Sequence, residues 1–496
     1  MEAPSAPPTV ALGGRAGRWI IVATILGSGV AFLDGSVVNV ALPAIGRDTG
    51  GGFAVLQWVL DAYLLTLSAL LLLGGALGDR YGRRLVFQIG LVVFTLASLG
   101  CGLAPDGAVL IIARLVQGVG GALLVPGSLA LINSTIRPDD RGRAVGTWAG
   151  LTGVSSALGP FVGGWLVDAV SWRWVFFINL PIAAVALVVT ARHVPETRST
   201  GVTGAPDLAG AAAITLGLAG AIYALIELPV HGWNVLTAVA LAAGVAGLVA
   251  FPLVESRTKG PIMPPALFAN RQFTGANLTT FTVYSALSGA LFLLSLQLQQ
   301  TLGYSALEAG IATLPITVIM LLLSGRMGAL AQRTGPRLPM TIGPFGCAAG
   351  LALMTLAVPG SSYLTGVLPG VLVFGLGLAV TVAPLTSAVL AAVEPARAGV
   401  ASGVNNAISR LAGLVAVAVL PLVAGMTGPG ATVGSGFGRA MVISAAVCAL
   451  GGVLSWCTID RRCPVESVAV PGLNHACQDP CTQHGSIEER TDRSSR

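Results

Sequence analysis

Four ionisable side chains interrupt stretches of sequence that are otherwise apolar. They are Asp34 in AFLDGSVVNVALP, Asp61 in WVLDAYLLT, Arg114 in LIIARLVQGVGG and Arg410 in NNAISRLAG. A charged side chain in hydrocarbon costs several kcal/mol unless it is paired or hydrated, so such residues are candidates for function. Burial disfavours the charged form of a carboxyl group whereas a nearby guanidinium favours it, so an aspartate in this setting can bind and release a proton.

The spacing of Asp34, Asp61 and Arg114 along their predicted helices places them at a similar depth in a membrane. Two interpretations fit this placement. One is a static ion pair that locks two helices together, and the other is a proton relay in which the distance from an aspartate to Arg114 changes with conformation. We favour the relay, with the carboxylates titrating and Arg114 as a fixed charge, because arginine keeps its proton in proteins. These three are the candidate proton-coupling residues.

The composition is that of a membrane protein. Of the 496 residues, 54% are hydrophobic and 10% are charged, whereas soluble domains carry about 25% charged residues. Apolar runs of roughly 20 residues, long enough to cross ~30 Å of hydrocarbon as helices, recur along the chain. They lack the alternation of a transmembrane β-barrel. We predict an all-α polytopic membrane protein whose fourteen helices lie near 19–41, 55–77, 85–104, 109–133, 145–168, 174–191, 208–228, 233–255, 273–298, 304–330, 338–358, 362–390, 400–425 and 438–458.

The basic residues fall mostly on one predicted side of the membrane. With a cytoplasmic N-terminus, 22 of the 27 Lys and Arg residues lie in cytoplasmic segments, three lie outside and two lie in the membrane. Cytoplasmic loops carry such an excess. This predicts a multi-pass protein of the plasma (inner) membrane with both termini in the cytoplasm. Residues 1–18 are predicted to form a disordered arm before a retained first helix, and residues 459–496 a disordered tail.

One ten-residue pattern occurs twice. Residues 75–84 (GALGDRYGRR) and 328–337 (GALAQRTGPR) share G-x-L-small-x-R-x-G-x-R at an offset of 253 residues. This spacing favours a duplication over chance similarity. We expect two six-helix bundles, 19–192 and 273–458, joined by a linker, 193–272, that adds two further helices. Transporters built from such repeats bind substrate near the membrane midplane, between the halves.

The first copy of the repeat and the fifth helix are the candidate gating elements. Asp79, Arg80 and Arg83 could form an ion-pair latch; an ordinary basic loop would explain the arginines but not the acid. In the fifth helix, Pro160 removes a backbone hydrogen bond and bends the helix, while Gly159 and Gly163 allow close approach of a neighbour. A static packing seam and a pivot both fit these three residues.

A polar stripe marks the candidate substrate site. Asn277, Thr280, Tyr284 and Ser288 recur at helical spacing, and we favour a water-filled cavity over helix–helix hydrogen bonds as the reason. The cavity would be mostly apolar with a few polar anchors, which suits an amphipathic organic molecule. The candidate substrate-binding residues are Asn39, Asn277, Tyr284, Asn405, Asn406 and Arg410.

Other chemistries find little support. Lys259 is the only lysine, and no phosphate-binding G-x-x-x-x-G-K-[ST] loop exists to use ATP. The four histidines lie in loops or in the tail, so we expect neither an enzyme nor a cofactor. His475, Cys477, Cys481 and His484 have metal-ligand side chains, but we do not expect metal binding in a disordered tail.

The motifs resemble those of the major facilitator superfamily and, more closely, its fourteen-helix drug:proton antiporter family. FLDGSVVNVALPAI is similar to that family's first-helix signature, GGALGDRYGRR to the superfamily loop signature, and WRWVFFINLPI to its sixth-helix start. ARLVQGVGGALL resembles the fourth-helix motif whose arginine, implicated in proton coupling, falls on Arg114. LGPFVGG resembles the fifth-helix antiporter motif, which implies export in exchange for protons.

The resemblance implies a proton-coupled exporter of hydrophobic or amphipathic compounds, acting in antibiotic resistance or in self-resistance. An exporter of an endogenous metabolite, such as a siderophore or an amino acid derivative, is the alternative. The chain departs from some drug-pump relatives because the tenth and thirteenth helices lack additional acids beyond their first turns, which favours neutral, weakly acidic or monocationic substrates. The expected partners are protons, a small-molecule substrate and the lipid bilayer, and no nucleic acid is expected. We expect the protein to be bacterial and to function as a monomer.

Overall fold

The computed structural model describes residues 9–50, 52–199, 206–258, 260–394, 397–427 and 433–461. Long helices make up most of these residues, which confirms the predicted all-α membrane architecture. In chain order they are α1 Arg15–Thr49, α2 Phe53–Tyr81, α3 Arg83–Gly102, α4 Gly107–Thr135, α5 Pro138–Ala169, α6 Trp174–His193, α7 Leu208–His231, α8 Val235–Arg257, α9 Arg271–Thr301, α10 Ala306–Thr334, α11 Arg337–Met354, α12 Tyr363–Ala391, α13 Ala398–Val423 and α14 Val433–Thr458.

Thirteen of the helices in the described residues are long and apolar enough to cross a membrane. The exception is α11, which has 18 residues and lies where residues 338–358 were predicted to be helical. Its first turn holds Arg337 and Pro339, and Pro344 lies in its middle.

The helix ends correct two of the predicted boundaries. The first helix has 35 residues, Arg15–Thr49, about 52 Å at 1.5 Å per residue, rather than the predicted 19–41. The predicted disordered arm, 1–18, is ordered over its described part. The Val10 amide donates to the backbone oxygen of Thr135, and the Arg137 amide donates to the backbone oxygen of Val10. These bonds hold the segment before α1 against the end of α4.

The first six and the last six helices pack to the same plan. In the first set α1 contacts α5 and α6, α2 contacts α4, and α3 contacts α4 and α6. In the second set α9 contacts α13 and α14, α10 contacts α12, and α11 contacts α12 and α14. Each contact in one half therefore has a counterpart in the other, and we call the two sets the N-half and the C-half.

The repeated ten-residue pattern forms the same turn in both halves. Helix α2 ends at Tyr81 and is followed by Gly82 with φ 121°, and α10 ends at Thr334 and is followed by Gly335 with φ 84°. Side chains other than glycine are strained at such angles. The positive φ angles of this turn therefore require glycine at positions 82 and 335.

The two halves meet along α1–α9, α2–α13 and α5–α10. The hairpin of α7 and α8 lies beside this seam, because α7 packs on both α2 and α13. Apolar side chains of all three helices, among them Leu65, Ile222 and Leu414, form one buried cluster. The extra pair of helices thus adds to the bundle without changing its plan.

The halves are joined more closely at one face than at the other. We call the face on which α1 begins the N-terminal face. At the opposite face, the carboxylate of Asp168 in α5 accepts hydrogen bonds from the amides of Ala306 and Leu307 at the start of α10. Also near that face, Ser295 donates to the backbone oxygen of Asn39 and Gln299 to that of Val40.

Toward the N-terminal face, α5 and α10 separate. A Cβ built on Gly142, Gly146 or Gly150 of α5, or on Gly325 of α10, would meet no described atom within 4 Å. Contact persists between α2 and α13, where Leu72 lies 3.1 Å from the Cβ position of Gly403. A cleft between the halves is therefore open toward the N-terminal face.

Candidate functional site

Asp34 of α1 and Arg114 of α4 form a buried ion pair in the N-half. Both side chains are fully buried, and Arg114 Nη1 lies 2.5 Å from Asp34 Oδ2. Arg114 Nε also donates to the backbone oxygen of Val59 in α2, at 2.9 Å. The pair therefore ties together three helices of the N-half, as the static interpretation of these residues requires.

Neutral side chains complete the coordination of the Asp34 carboxylate. Gln117 Nε2 and Asn179 Nδ2 donate to Asp34 Oδ1 at 2.9 and 3.0 Å, and both also donate to Ser98 Oγ. With Arg114, the carboxylate has three donors on two helices besides its own. Such a set supplies the hydrogen bonds that a buried carboxylate requires.

Sequence reasoning missed Gln117, Asn179 and Ser98. Gln117 follows Arg114 by three residues, which places it on the same helix face. Asn179 is the polar residue of FINLPI. An amide in an otherwise apolar run was the available signal in both cases.

The Arg114 guanidinium is held from a second side by aromatic rings. It lies 4.4 Å from the centroid of Tyr63 and 5.8 Å from that of Phe176. Its Nη2 has no hydrogen-bond partner among the described residues, so the rings supply part of the stabilisation that a further acceptor would give.

Asp61 has a different environment. It is fully buried, and neither carboxyl oxygen has a hydrogen-bond partner among the described residues. The predicted grouping of Asp34, Asp61 and Arg114 therefore holds only for the first and third. An ionised carboxylate with no partner would cost several kcal/mol at such a position. The neutral acid is the form that fits this geometry.

The neighbours of Asp61 along α2 place it at the seam between the halves. One turn before it, Gln57 Nε2 donates to the backbone oxygen of Val417 in α13 at 2.7 Å. One turn after it, Leu64 lies 3.7 Å from the Cβ position of Gly413. Asp61 is between these two contacts and on the same side of α2, so it faces the C-half.

Two of the candidate substrate-binding residues, Asn277 of the polar stripe in α9 and Asn405 of α13, bond to each other's helix rather than lining a water-filled cavity. Asn405 Nδ2 of α13 donates to Asn277 Oδ1 at 3.0 Å and to Thr280 Oγ1 at 2.7 Å. Asn277 is buried and donates in turn to the backbone oxygen of Phe273. Asn277 and Asn405 thus join two helices of the C-half, because the Asn405 amide donates to the buried Asn277 oxygen.

The remaining substrate candidates are half-buried. Asn39 donates to the backbone oxygen of Gly35 in its own helix, and Asn406 lies half-buried in α13. Arg410 lies with its guanidinium carbon 5.0 Å from the ring centroid of Phe32 in α1. Arg410 of α13 therefore lies against α1, at the contact between the two halves.

The candidate latch is present and has one unpredicted member. Asp79 and Arg83 form an ion pair at 2.7 Å, and both side chains are partly exposed. The carboxylate of Glu196, from the segment after α6, accepts from the amides of Arg84 and Leu85 at the start of α3. Arg80 lies beside the ring of Tyr81, 5.6 Å from its centroid. Glu196 therefore caps the start of α3, while Asp79 pairs with Arg83.

The glycines of the fifth helix form a packing seam. A Cβ on Gly159 would collide with Ser36 of α1, and one on Gly163 would lie 2.9 Å from Val37 Cγ1. A Cβ on Gly310 of α10 would collide with the carbonyl oxygen of Pro160. The close approach of the backbones of α5, α1 and α10 at this level thus depends on the absence of side chains at these glycines.

The α7–α8 hairpin is attached to α2 through an acid. Trp58 Nε1 donates to Glu227 Oε1 at 2.6 Å, and Glu227 Oε2 lies 2.9 Å from Nδ1 of His231. Trp58 is three residues from Asp61. The extra helices therefore contact the helix that carries the unpartnered acid.

No group of three or more potential metal ligands occurs among the described residues. The cluster His475, Cys477, Cys481 and His484 lies outside them.

Residues 24–417 match the family model of the Major Facilitator Superfamily. The chain is a multi-pass membrane protein of the transporter type, and it belongs to this superfamily. The resemblance in its motifs is thereby confirmed.

Two relatives and one solved structure define the likeness further. The chain is 37% identical to the puromycin resistance protein pur8 of Streptomyces alboniger, over 90% of this chain and 92% of that protein. It is 36% identical to the multidrug resistance protein Stp of Mycobacterium tuberculosis, over 81% of this chain and 74% of that protein. A crystal structure of a peptide transporter POT superposes with a TM-score of 0.68 at 14% identity, covering 92% of this chain and 97% of that one, which shows the shared fold.

Proposed function

We propose that this chain is an efflux transporter that carries hydrophobic or amphipathic compounds out of the cytoplasm in exchange for protons. The observation that carries the proposal is Asp61, a fully buried acid without a partner among the described residues, placed on the seam between the two halves. The names of the relatives, which are resistance proteins for puromycin and for multiple drugs, support an outward direction and an antibiotic as cargo.

The N-terminal face is the cytoplasmic face in this proposal. It carries the loop with Asp79 and Arg83, and the distribution of 22 of the 27 basic residues supports the same orientation. The cleft between α5 and α10 is then open to the cytoplasm, where a compound can reach Arg410 and Tyr284 from within the cell.

Asp61 would couple the proton to the arrangement of the halves. With its proton, the acid is neutral and can remain between α2 and α13. Without it, the carboxylate needs water or a counter-charge that this arrangement does not provide, so loss of the proton favours a different packing of α2 against α13. Exchange of one proton thereby shifts the equilibrium between two conformations.

Asp34 and Arg114 would have the second role of holding the N-half rigid around this exchange. Their pairing, with Gln117 and Asn179 as additional donors, satisfies the Asp34 carboxylate, whereas Asp61 has no hydrogen-bond partner among the described residues. We therefore assign the proton carrier to Asp61 and a positioning role to Asp34.

Reconstituted protein provides the test. Proteoliposomes that contain the purified chain, with puromycin or a fluorescent dye at equal concentration on both sides of the membrane, would be given an imposed pH gradient. Transport against the drug gradient that collapses with an uncoupler supports the proposal. Transport that is indifferent to acidification of either side would overturn proton coupling. Expression that changes tolerance to no compound of a broad drug panel would favour an endogenous metabolite as the cargo.

A further inference from the structure

Arg410 is a cation without an ion-pair partner in the middle of the bundle. It is half-buried near the centre of α13 (Ala398–Val423), and no carboxylate pairs with it among the described residues. Its Nε is buried and has no hydrogen-bond partner in the same part of the chain. A guanidinium has five N–H donors, so several donors of Arg410 are available to a bound molecule.

Aromatic side chains lie on one side of this guanidinium. Phe32 of α1 lies under it at 5.0 Å, and Tyr63 of α2 donates to the backbone oxygen of Ala31, the residue before Phe32. These rings belong to the N-half and Arg410 to the C-half, so both halves contribute to the site. A planar guanidinium among rings is a surface on which another flat ring can stack.

The positive charge of Arg410 is not balanced by the acids of the bundle. Asp34 is neutralised by Arg114, and the Asp61 carboxyl group makes no hydrogen bond to Arg410 among the described residues. Between residues 271 and 458, the only acids are Glu308 and Glu394. Glu308 belongs to the cap at the start of α10, and Glu394 follows the end of α12, so each is far along the helix axis from Arg410.

The register of α2 and α13 shows where the site lies relative to Asp61. Gln57 is opposite Val417 and Leu64 is opposite Gly413 in these antiparallel helices. Arg410 is three residues beyond Gly413, so it lies about one helical turn from the level of Asp61 toward the N-terminal face. It is thus on the open side of the seam.

We propose that Arg410 determines substrate class: the site takes planar aromatic compounds with an acidic or carbonyl oxygen and rejects permanent cations. The ring of the compound stacks with Arg410 and its aromatic neighbours, and the oxygen accepts from the free N–H groups. A permanent cation meets the uncompensated charge of Arg410 instead. This inference rests on the proposed transport function, but it concerns binding and can be tested without a gradient.

The test uses two xanthene dyes with one ring system, fluorescein as the acidic member and rhodamine 6G as the permanent cation. Binding of each to the purified full chain is measured by fluorescence anisotropy, with no pH gradient. We expect fluorescein to bind more tightly than rhodamine 6G. In Arg410→Gln, fluorescein affinity should fall roughly tenfold, as expected for loss of one charge-assisted hydrogen bond, and rhodamine 6G affinity should rise.

Two further variants make the result specific. Arg410→Lys keeps the charge but not the planar group, so it should still reject rhodamine 6G while binding fluorescein more weakly than the native chain. Arg326→Gln, which removes a charge from an exposed position in α10, should leave both affinities unchanged.

Binding that ignores Arg410 would overturn the inference. That outcome includes equal affinity of the native chain for both dyes, no binding of fluorescein, or identical dye preference in native and Arg410→Gln protein. Because no gradient is present, these results are independent of whether transport is coupled to protons. A native chain that binds fluorescein selectively but never moves it would contradict the proposed function and leave the site intact.

Discussion

The N-half and the C-half share a packing plan but differ in what they bury. The N-half encloses Asp34, Arg114 and Asp61, with a set of amides around the first two. The C-half encloses the neutral pair Asn277 and Asn405 in the corresponding first and fifth helices. At the offset of 253 residues set by the repeated turn, Asp61 corresponds to Leu314.

The helix contacts that the two halves share supply the scaffold. The buried polar and charged groups differ between the halves, which indicates that each half has its own chemical role. Helix contacts such as α2–α4 and α10–α12 depend on shape and tolerate many apolar side chains. Buried charges need particular partners, so they remain where those partners are. We infer that the N-half handles the proton and that the C-half contributes Arg410 to the recognition of cargo.

The largest expected effect comes from removing the titratable group of the N-half. Asp61→Asn has the shape of the neutral acid but no proton to give up. Proton-driven efflux in proteoliposomes should be lost, by at least about a hundredfold in initial rate, because the neutral arrangement persists throughout the cycle. Dye binding should remain, since Arg410 is unchanged.

A matched variant in the C-half sharpens this prediction. Leu314→Asn introduces an amide at the position that corresponds to Asp61 and should leave the dependence on the pH gradient intact. If efflux by Asp61→Asn depended on the pH gradient as it does in the native chain, Asp61 would not be the proton carrier.

The next effect is on stability and concerns the ion pair. Asp34→Asn leaves Arg114 buried without its counter-charge, which should reduce the free energy of unfolding by about 3–5 kcal/mol. The double variant Asp34→Asn with Arg114→Gln removes both charges and should recover part of that loss. Thermal unfolding in detergent measures both.

The ion-pair prediction separates the roles of the two acids. Asp61→Asn should be as stable as the native chain in the same assay. Equal destabilisation by Asp34→Asn and Asp61→Asn would contradict the division between a positioning acid and a proton carrier.

A third prediction concerns the junction between the halves. Gly310→Val puts a side chain against the carbonyl oxygen of Pro160, so α5 and α10 should not close at the face opposite the N-terminal one. We expect about a tenfold decrease in efflux and increased labelling of a cysteine placed near that face.

The same helix provides the control for this variant. Gly325→Val lies where a Cβ meets no described atom within 4 Å, so it should not alter closure at the opposite face. Equal labelling in the two variants would mean that the junction at Gly310 does not hold the halves together.

The smallest effect compares the two copies of the repeated turn. Gly82→Ala and Gly335→Ala each place a side chain at positive φ, which should cost about 1–2 kcal/mol each. Gly82→Ala should cost more, because its Cβ would also lie 2.7 Å from Glu196 Oε1. Melting temperatures of the two variants measure the difference, and a larger loss in Gly335→Ala would show that the capping acid adds nothing.

The fold was largely predictable because apolar length and glycine spacing dictate it. Runs of about 20 apolar residues mark membrane helices, and the repeat at 75–84 and 328–337 marks the duplication. Helix ends were less predictable: α1 continues to Thr49, since a polar sequence outside the hydrocarbon can remain helical.

The candidate site was predictable in its members but not in its pairing. An acid or base in an apolar run is visible in the sequence, so Asp34, Asp61 and Arg114 could be named. Which acid pairs with Arg114 depends on helix rotation and tilt, as does the meeting of Asn277 with Asn405. Glu196 could not be singled out, because its role arises only where distant segments meet.

The seal around Asp61 has a consequence for the energy supply of the cell. The oxygens of this acid are buried and have no hydrogen-bonded neighbour among the described residues, so no hydrogen-bonded path in that part of the chain links them to either side of the bilayer. We therefore expect a resting molecule in this arrangement to conduct no protons, so that many copies can reside in the membrane without dissipating its voltage.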